Sequence, residues 1–171
     1  RQQVQNLLGS ILAAKEFGMT VGEIAEACKN IKPEQAGMTV KIGAHGINVI
    51  DSSYSSNPDG VLADLDYLSV FKGRKVIVMP CLIELGNMSA KIHEQIGKKI
   101  AEVCDLAIIT TKDQFESLKR GATENGMAPE NIMLQEKPKE IFAHIATVYS
   151  GGDAVLLEGR VPSEVIRLLK V

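Results

Sequence analysis

Two short runs constrain this chain more than any other feature. Val76-Ile77-Val78-Met79 and Leu106-Ala107-Ile108-Ile109 are apolar at every position. A strand with one wet face alternates apolar and polar residues. Unbroken apolar runs of this length instead suit strands covered on both faces, as in parallel sheets flanked by helices. The rest of the pattern agrees. Strands are expected at Asn48–Asp51, Lys75–Met79, Leu106–Thr110, Asn131–Leu134 and Ala154–Leu157. Helices are expected near Asp59–Val70, Ala90–Val103, Gln114–Asn125, Lys139–Val148 and Ser163–Lys170. This alternation predicts an α/β fold: a Rossmann-like, doubly wound, mostly parallel sheet with right-handed crossovers.

The first part of the chain reads differently. Leu7, Leu8, Ile11, Leu12 and Ala14 form an apolar stripe at helical spacing, and Gly18 ends that helix. Thr20 opens a second helix with Glu23 three residues on, the pattern of a capping box. Ile24, Ala27, Cys28 and Ile31 share one face of it. Lys32-Pro33-Glu34-Gln35-Ala36-Gly37 then breaks the helix. The expected boundary divides residues 1–37, a short helical segment with its linker, from residues 38–171. The second part opens with an N-terminal β-hairpin, Thr39–Ile42 and Ile47–Ile50 around Gly43-Ala44-His45-Gly46. A start at Arg1-Gln2-Gln3 inside an apparent helix gives the expectation of a piece of something longer.

Composition excludes several classes of partner. With 171 residues, 19 basic against 21 acidic side chains and a net charge of −2, nothing favours nucleic acid or an anionic membrane. No apolar run approaches the ~20 residues that span a bilayer. Cys28, Cys81 and Cys104 are few, odd in number and far apart. They read as small buried hydrophobes of a cytoplasmic protein rather than a disulfide frame or a zinc site. His45, His93 and His144 share no metal-ligand spacing, so a structural or solvent role is expected for each and no metal is expected. No G-x-x-x-x-G-K-[ST] loop is present. The chain lacks the phosphate cradle of a self-sufficient nucleotide enzyme.

In open parallel sheets, ligands sit outside the carboxyl ends of strands. Four segments follow strands: Asp51–Pro58, Pro80–Gly86, Thr110–Asp113 and Glu158–Pro162. The first offers a carboxylate, four serines, a phenol and an amide. Asn57 can cap the next helix with Pro58 at its first position, so a capped turn without ligand is the alternative. Glu84 is a loop carboxylate among apolar residues, suited either to orienting a ligand or to solvent. Arg160 presents a donor fork that matches a carboxylate or phosphate. Its alternatives are a local ion pair with Glu158 or a plain surface arginine.

These segments carry a resemblance. Val49-Ile50-Asp51-Ser52-Ser53-Tyr54-Ser55-Ser56-Asn57-Pro58-Asp59 resembles the IDDSYNANPDS segment of the Mur ligases, closest to the branch that adds D-Ala-D-Ala to the cell-wall precursor. Ile83-Glu84-Leu85-Gly86 is similar to that family's ELG loop, with His93 and Gly97 at a similar distance beyond. Gly152–Arg160 resembles its GDVVLVKGSR strand and loop, and Arg1–Asn6 its GRHNVLNALAA helix start. The resemblance implies that residues 38–171 are the C-terminal α/β domain of a cytoplasmic, three-domain, ATP-dependent amide ligase of peptidoglycan precursor synthesis, and residues 1–37 the helical tail and linker of its central ATPase domain. Such ligases phosphorylate a substrate carboxylate with ATP and Mg, and the acyl phosphate is attacked by an incoming amine.

Carried across, Asn6 would approach the adenine, and Asp51 and Tyr54 would face the ribose or phosphates. Asn57, Glu84 and Arg160 would line the amine-substrate side. The implied partners are a nucleotide-linked muropeptide and an amino acid or dipeptide, and a monomer is expected. ATP and Mg would be held mostly by the central domain. No catalytic residue is expected here, and the chain alone is expected to be inactive. The chain departs from the pattern at Gln2-Gln3, where the family has His-Asn; at Ser52, a second Asp; at Gly37, the Arg of a PGRM linker; and at Glu158, the Lys of KGSR. Those departures leave two other readings: a non-catalytic α/β binding domain descended from such ligases, or a sister ligase with another amine substrate.

Overall fold

The apolar runs become the middle of a six-stranded sheet of order β1-β2-β6-β3-β4-β5. The structure, a computed structural model, describes residues 2–31 and 37–169. Of the expected linker, Lys32–Ala36 lie outside the described residues, as does Arg1 of the expected helix start. The chain forms two compact units, Arg1–Ala36 and Gly37–Val171.

The first unit holds α1 (Gln2–Glu16) and α2 (Val21–Lys29). Gly18, at φ 93°, ends α1 in the left-handed conformation that glycine adopts without steric cost. The capping box forms as expected. Thr20 Oγ1 accepts the Glu23 N–H at 3.3 Å, and the Glu23 carboxylate accepts the Thr20 N–H at 2.8 Å.

In the second unit the strands are β1 (Thr39–Ile42), β2 (Asn48–Ser52), β3 (Lys75–Met79), β4 (Leu106–Ile109), β5 (Ile132–Leu134) and β6 (Ala154–Glu158). The helices are α3 (Pro58–Leu68), α4 (Ser89–Val103), α5 (Phe115–Thr123), α6 (Pro138–Val148) and α7 (Ser163–Leu169). The hairpin β1–β2 is antiparallel and the other pairings are parallel.

Alternation sorts each central strand between two cores. Val49, Val76, Val78, Ile108, Val155 and Leu157 face α6 and α7, against Ile141, Ile145, Val165 and Leu169. Ile50, Ile77, Met79, Ile109 and Leu156 face α3, α4 and α5, against Val61, Leu65, Ile96, Ile100 and Leu118. Each such side chain contributes roughly 1.5–3 kcal/mol when fully buried. Helices α4 and α5 pack backbone to backbone. A Cβ at Gly97 would lie 2.1 Å from the Leu118 carbonyl oxygen, and one at Gly121 would lie 2.1 Å from that of Glu94.

This winding positions the site. β2 and β3 are followed by α3 and α4 on one face, whereas β6, inserted between them, is followed by α7 on the other. The connections leave the carboxyl edge in opposite directions beside β6, which opens a crevice there.

Candidate functional site

Four loops meet at that edge. After β2 the chain turns on Asp51, whose carboxylate accepts the Ser53 N–H at 3.0 Å. Asn57 then caps α3, its Oδ1 accepting the Gly60 N–H at 2.9 Å with Pro58 next in the chain. After β3, Cys81 N–H donates to Thr111 Oγ1 at 2.8 Å, which ties this loop to the one after β4. After β6, Gly159 N–H donates to the Ser52 carbonyl at 3.1 Å. Gly159 sits at φ 68°, and a Cβ there would lie 2.6 Å from Ser56 Oγ. Only glycine lets these two loops close together without rearrangement.

The loops enclose a cleft of about 370 Å³ lined by Ser55, Ser56, Pro80, Cys81, Leu82, Ile83, Glu84, Thr111, Asp113 and Arg160. Glu84 and Arg160, expected on one side of a ligand site, are brought together here. Glu84 has φ 63°, a left-handed backbone that a non-glycine residue rarely adopts. Such strain costs on the order of 1–3 kcal/mol and clusters at functional sites. Arg160 is exposed and makes no ion pair among the described residues. Asp113 is the residue that sequence reasoning did not single out. Its signal was present, since it closes the segment after an apolar strand, but nothing local linked it to Glu84 or Arg160.

The other expected site residues lie elsewhere. Asp51, Tyr54 and Asn57 are not in the cleft lining. Tyr54 is 75% exposed. Asn57, expected on the amine side, spends its side-chain oxygen on the α3 cap. Asn6 is exposed on α1 in the first unit. His45 and His144 are exposed.

Glu158 removes one alternative for Arg160. It does not pair with Arg160 but points inward at 1% exposure, against Asp64 of α3. Asp64 also accepts a hydrogen bond from the Ser52 hydroxyl. Glu158 Oε2 has no hydrogen-bond partner among the described residues. Burial, and then the adjoining Asp64 carboxyl, push the Glu158 pKa up to about 9. The side chain is therefore a neutral acid near pH 7.

Residues 38–161 match the family model described as the Mur ligase, glutamate ligase domain. The chain belongs to this family. Among curated relatives, UDP-N-acetylmuramoyl-tripeptide–D-alanyl-D-alanine ligase of Mycobacterium leprae is 27% identical over 173 residues, covering 91% of this chain and 34% of the relative. The enzyme of that name from Bacillus subtilis is 21% identical over 160 residues, covering 92% of this chain and 35% of the relative. The chain thus spans about a third of the length of these relatives. The MurF ligase of Thermotoga maritima, solved in complex with ADP, superposes with a TM-score of 0.70 at 23% identity, covering 97% of this chain and 37% of the other. MurF of Acinetobacter baumannii superposes at 0.72 and 19%, with the same coverage. At these identities the solved structures establish the fold.

Family membership gives the Glu158 geometry a second meaning. Two of the departures from the Mur pattern, Ser52 and Glu158, are register partners on β2 and β6. They form one cross-strand site, half-buried at Ser52 and buried at Glu158, rather than two separate losses. The charge reversal at residue 158 therefore lies beneath the loop and not on the cleft wall. Among the described residues, no helix is long and apolar enough to cross a membrane, and no group of three or more His, Cys, Asp or Glu could hold a metal ion.

Proposed function

We propose that this chain is the C-terminal domain of an ATP-dependent Mur-type ligase of peptidoglycan precursor synthesis. It would close over the nucleotide and bind the amino acid or dipeptide that is joined to a nucleotide-linked muropeptide. The observation that carries this reading is the pairing of unlike charges in one cleft: Arg160 on one loop, Glu84 and Asp113 on two others. An amine substrate with a free carboxylate is a zwitterion. Arg160 would hold its carboxylate through the planar donor fork. Glu84 and Asp113 would hold its ammonium group and keep the nitrogen at a defined distance. The cleft walls would orient the nitrogen toward the activated carboxyl group, a positional gain that needs no proton transfer from this chain.

ATP would supply the phosphoryl group that activates the muropeptide carboxylate. The residues here fit the rim of a nucleotide site rather than its phosphate cradle. Tyr54 offers an exposed ring to a base or ribose, and Asp51 shapes the loop that carries it, whereas the cleft holds one cation against two carboxylates. Asn6, on the helical tail of the preceding domain, would approach the adenine. Mg and most phosphate contacts would then belong to the central domain, and the 171-residue chain alone would turn over no ATP.

The test is steady-state kinetics of the longer ligase, varying ATP and amine separately. A charge-assisted hydrogen bond is worth about 1.5–3 kcal/mol, so Arg160→Ala should weaken use of the amine by roughly ten- to a hundredfold. The ATP dependence should barely move, and Arg160→Lys should restore only part of the loss. Damage confined to the ATP dependence would assign Arg160 to the nucleotide instead.

A further inference from the structure

The loop that carries Glu84 is anchored by side chains from two other elements. Cys81 N–H is held by Thr111, and the next amide, Leu82 N–H, donates to Nε2 of His93 at 2.9 Å. His93 lies on α4 and is fully buried. Its other ring nitrogen, Nδ1, lies 2.7 Å from the Ser89 carbonyl oxygen. A carbonyl only accepts, so Nδ1 carries the proton and Nε2 is left as the bare acceptor that Leu82 requires. The two contacts together select a single neutral tautomer. Burial favours the same state, pulling the His93 pKa down against the smaller opposing effect of the Ser89 bond. An imidazolium would aim an N–H at the Leu82 N–H.

The consequence lies two residues further on. Ile83 is 63% exposed, and Glu84 follows it in a left-handed backbone. Neither residue is held by burial of its own side chain. The amides just before them are tied to Thr111 and His93, and the side chains of Leu82 and Leu85 pack against the core on either side.

We propose that His93 is a positioning residue of the substrate loop. Its neutral ring holds the Leu82 amide and so fixes where the Glu84 carboxylate stands in the cleft. The effect on substrate rests on the amine-site reading above; the anchoring of the loop does not.

The experiment compares His93→Gln, His93→Asn and His93→Leu in the 171-residue chain. It follows amide exchange at Leu82 and the ring ¹⁵N shifts of His93. A Gln side-chain oxygen can stand where Nε2 stands and accept the same N–H; Asn is too short and Leu has no acceptor. Wild type should show the neutral, Nδ1-protonated ring. Leu82 exchange should quicken about tenfold or more in the Asn and Leu variants and stay within about threefold of wild type in the Gln variant. If His93→Leu does not fold, the Gln–Asn contrast decides alone. Unchanged Leu82 exchange in His93→Asn, or a ring protonated on Nε2 in wild type, overturns the proposal. In the longer ligase, His93→Asn should raise the amine KM and leave the ATP KM in place, with His93→Gln restoring it. Glu84→Gln separates the two readings. If it leaves the amine KM unchanged, the amine-site reading fails, while Leu82 exchange still judges the role of His93.

Discussion

The two ends of β6 carry buried carboxyl groups with opposite chemistry. Asp153 precedes the strand and Glu158 ends it. The Asp153 carboxylate accepts from three donors. Arg74 N–H reaches it at 2.9 Å, the Arg74 guanidinium at 2.7 Å and Ser150 N–H at 3.0 Å. The guanidinium in turn stacks 4.8 Å from the centre of the Tyr149 ring. Burial alone would raise the Asp153 pKa, but these donors outweigh it and hold the carboxyl below its ordinary range. Glu158 has the burial and, among the described residues, no cation; the Asp64 carboxyl beside it is another acid, and its value rises to about 9. The amino end of the sheet is satisfied and serves as a staple. The carboxyl end keeps an unpartnered oxygen, a left-handed Glu84 and an exposed Arg160 beside the cleft. Local conflicts of this kind gather where a structure is built for binding rather than for stability.

The pH signs differ accordingly. A lowered pKa means that the contribution of Asp153 is present above the ordinary carboxylate range and is lost as pH falls through its folded value. A raised pKa means that the contribution of Glu158 is whole below about 4.5 and is lost as pH rises through about 9. Between these values the carboxyl end should weaken with rising pH while the amino end holds.

Three changes would break or sharpen this contrast. The largest effect is expected at the staple. Asp153→Ala strands the Arg74 and Ser150 donors and should cost about 3 kcal/mol, or roughly 6–12 °C in thermal midpoint at pH 7. A drop below about 2 °C would remove the distinction between the two ends. Next comes Glu158→Gln, which keeps the shape of the neutral acid without the need to bind a proton. It should stabilise the protein by roughly 2 kcal/mol at pH 6, with the gain vanishing below about pH 4.5. Denaturant titrations at both pH values read this, and an equal gain at both would mean that titration is not the cause. The smallest change is Glu84→Gly. Relief of the left-handed backbone, less the extra freedom of glycine in the unfolded chain, should leave a gain of about 0.5 kcal/mol. Amine use by the longer ligase should fall in the same variant. A loss of stability there would mean that the Glu84 backbone is not strained.

Much of this molecule could be read along the chain. The helices and strands lie within a few residues of expectation because hydrophobic period and capping chemistry are local. The Thr20–Glu23 box and the Asn57–Pro58 cap formed as their spacing predicts. Glu84 and Arg160 were legible as polar residues following apolar strands. Asn57 is legible as a cap, and its Oδ1 accepts the Gly60 N–H. Asp113 was missed because what matters about it is which other loops it faces.

The sequence by itself determined the sheet, its two-sided burial and the family motifs at its carboxyl edge, since each is a pattern among near neighbours in the chain. Tertiary structure alone decided the rest. Strand register set Ser52 opposite Glu158 across 106 positions of chain and turned that acid inward. Helix packing brought the His93 ring to the Leu82 amide and thereby chose its tautomer. Long-range pairing and burial set the charge state of both groups, and neither quantity is written in the residues on either side of them.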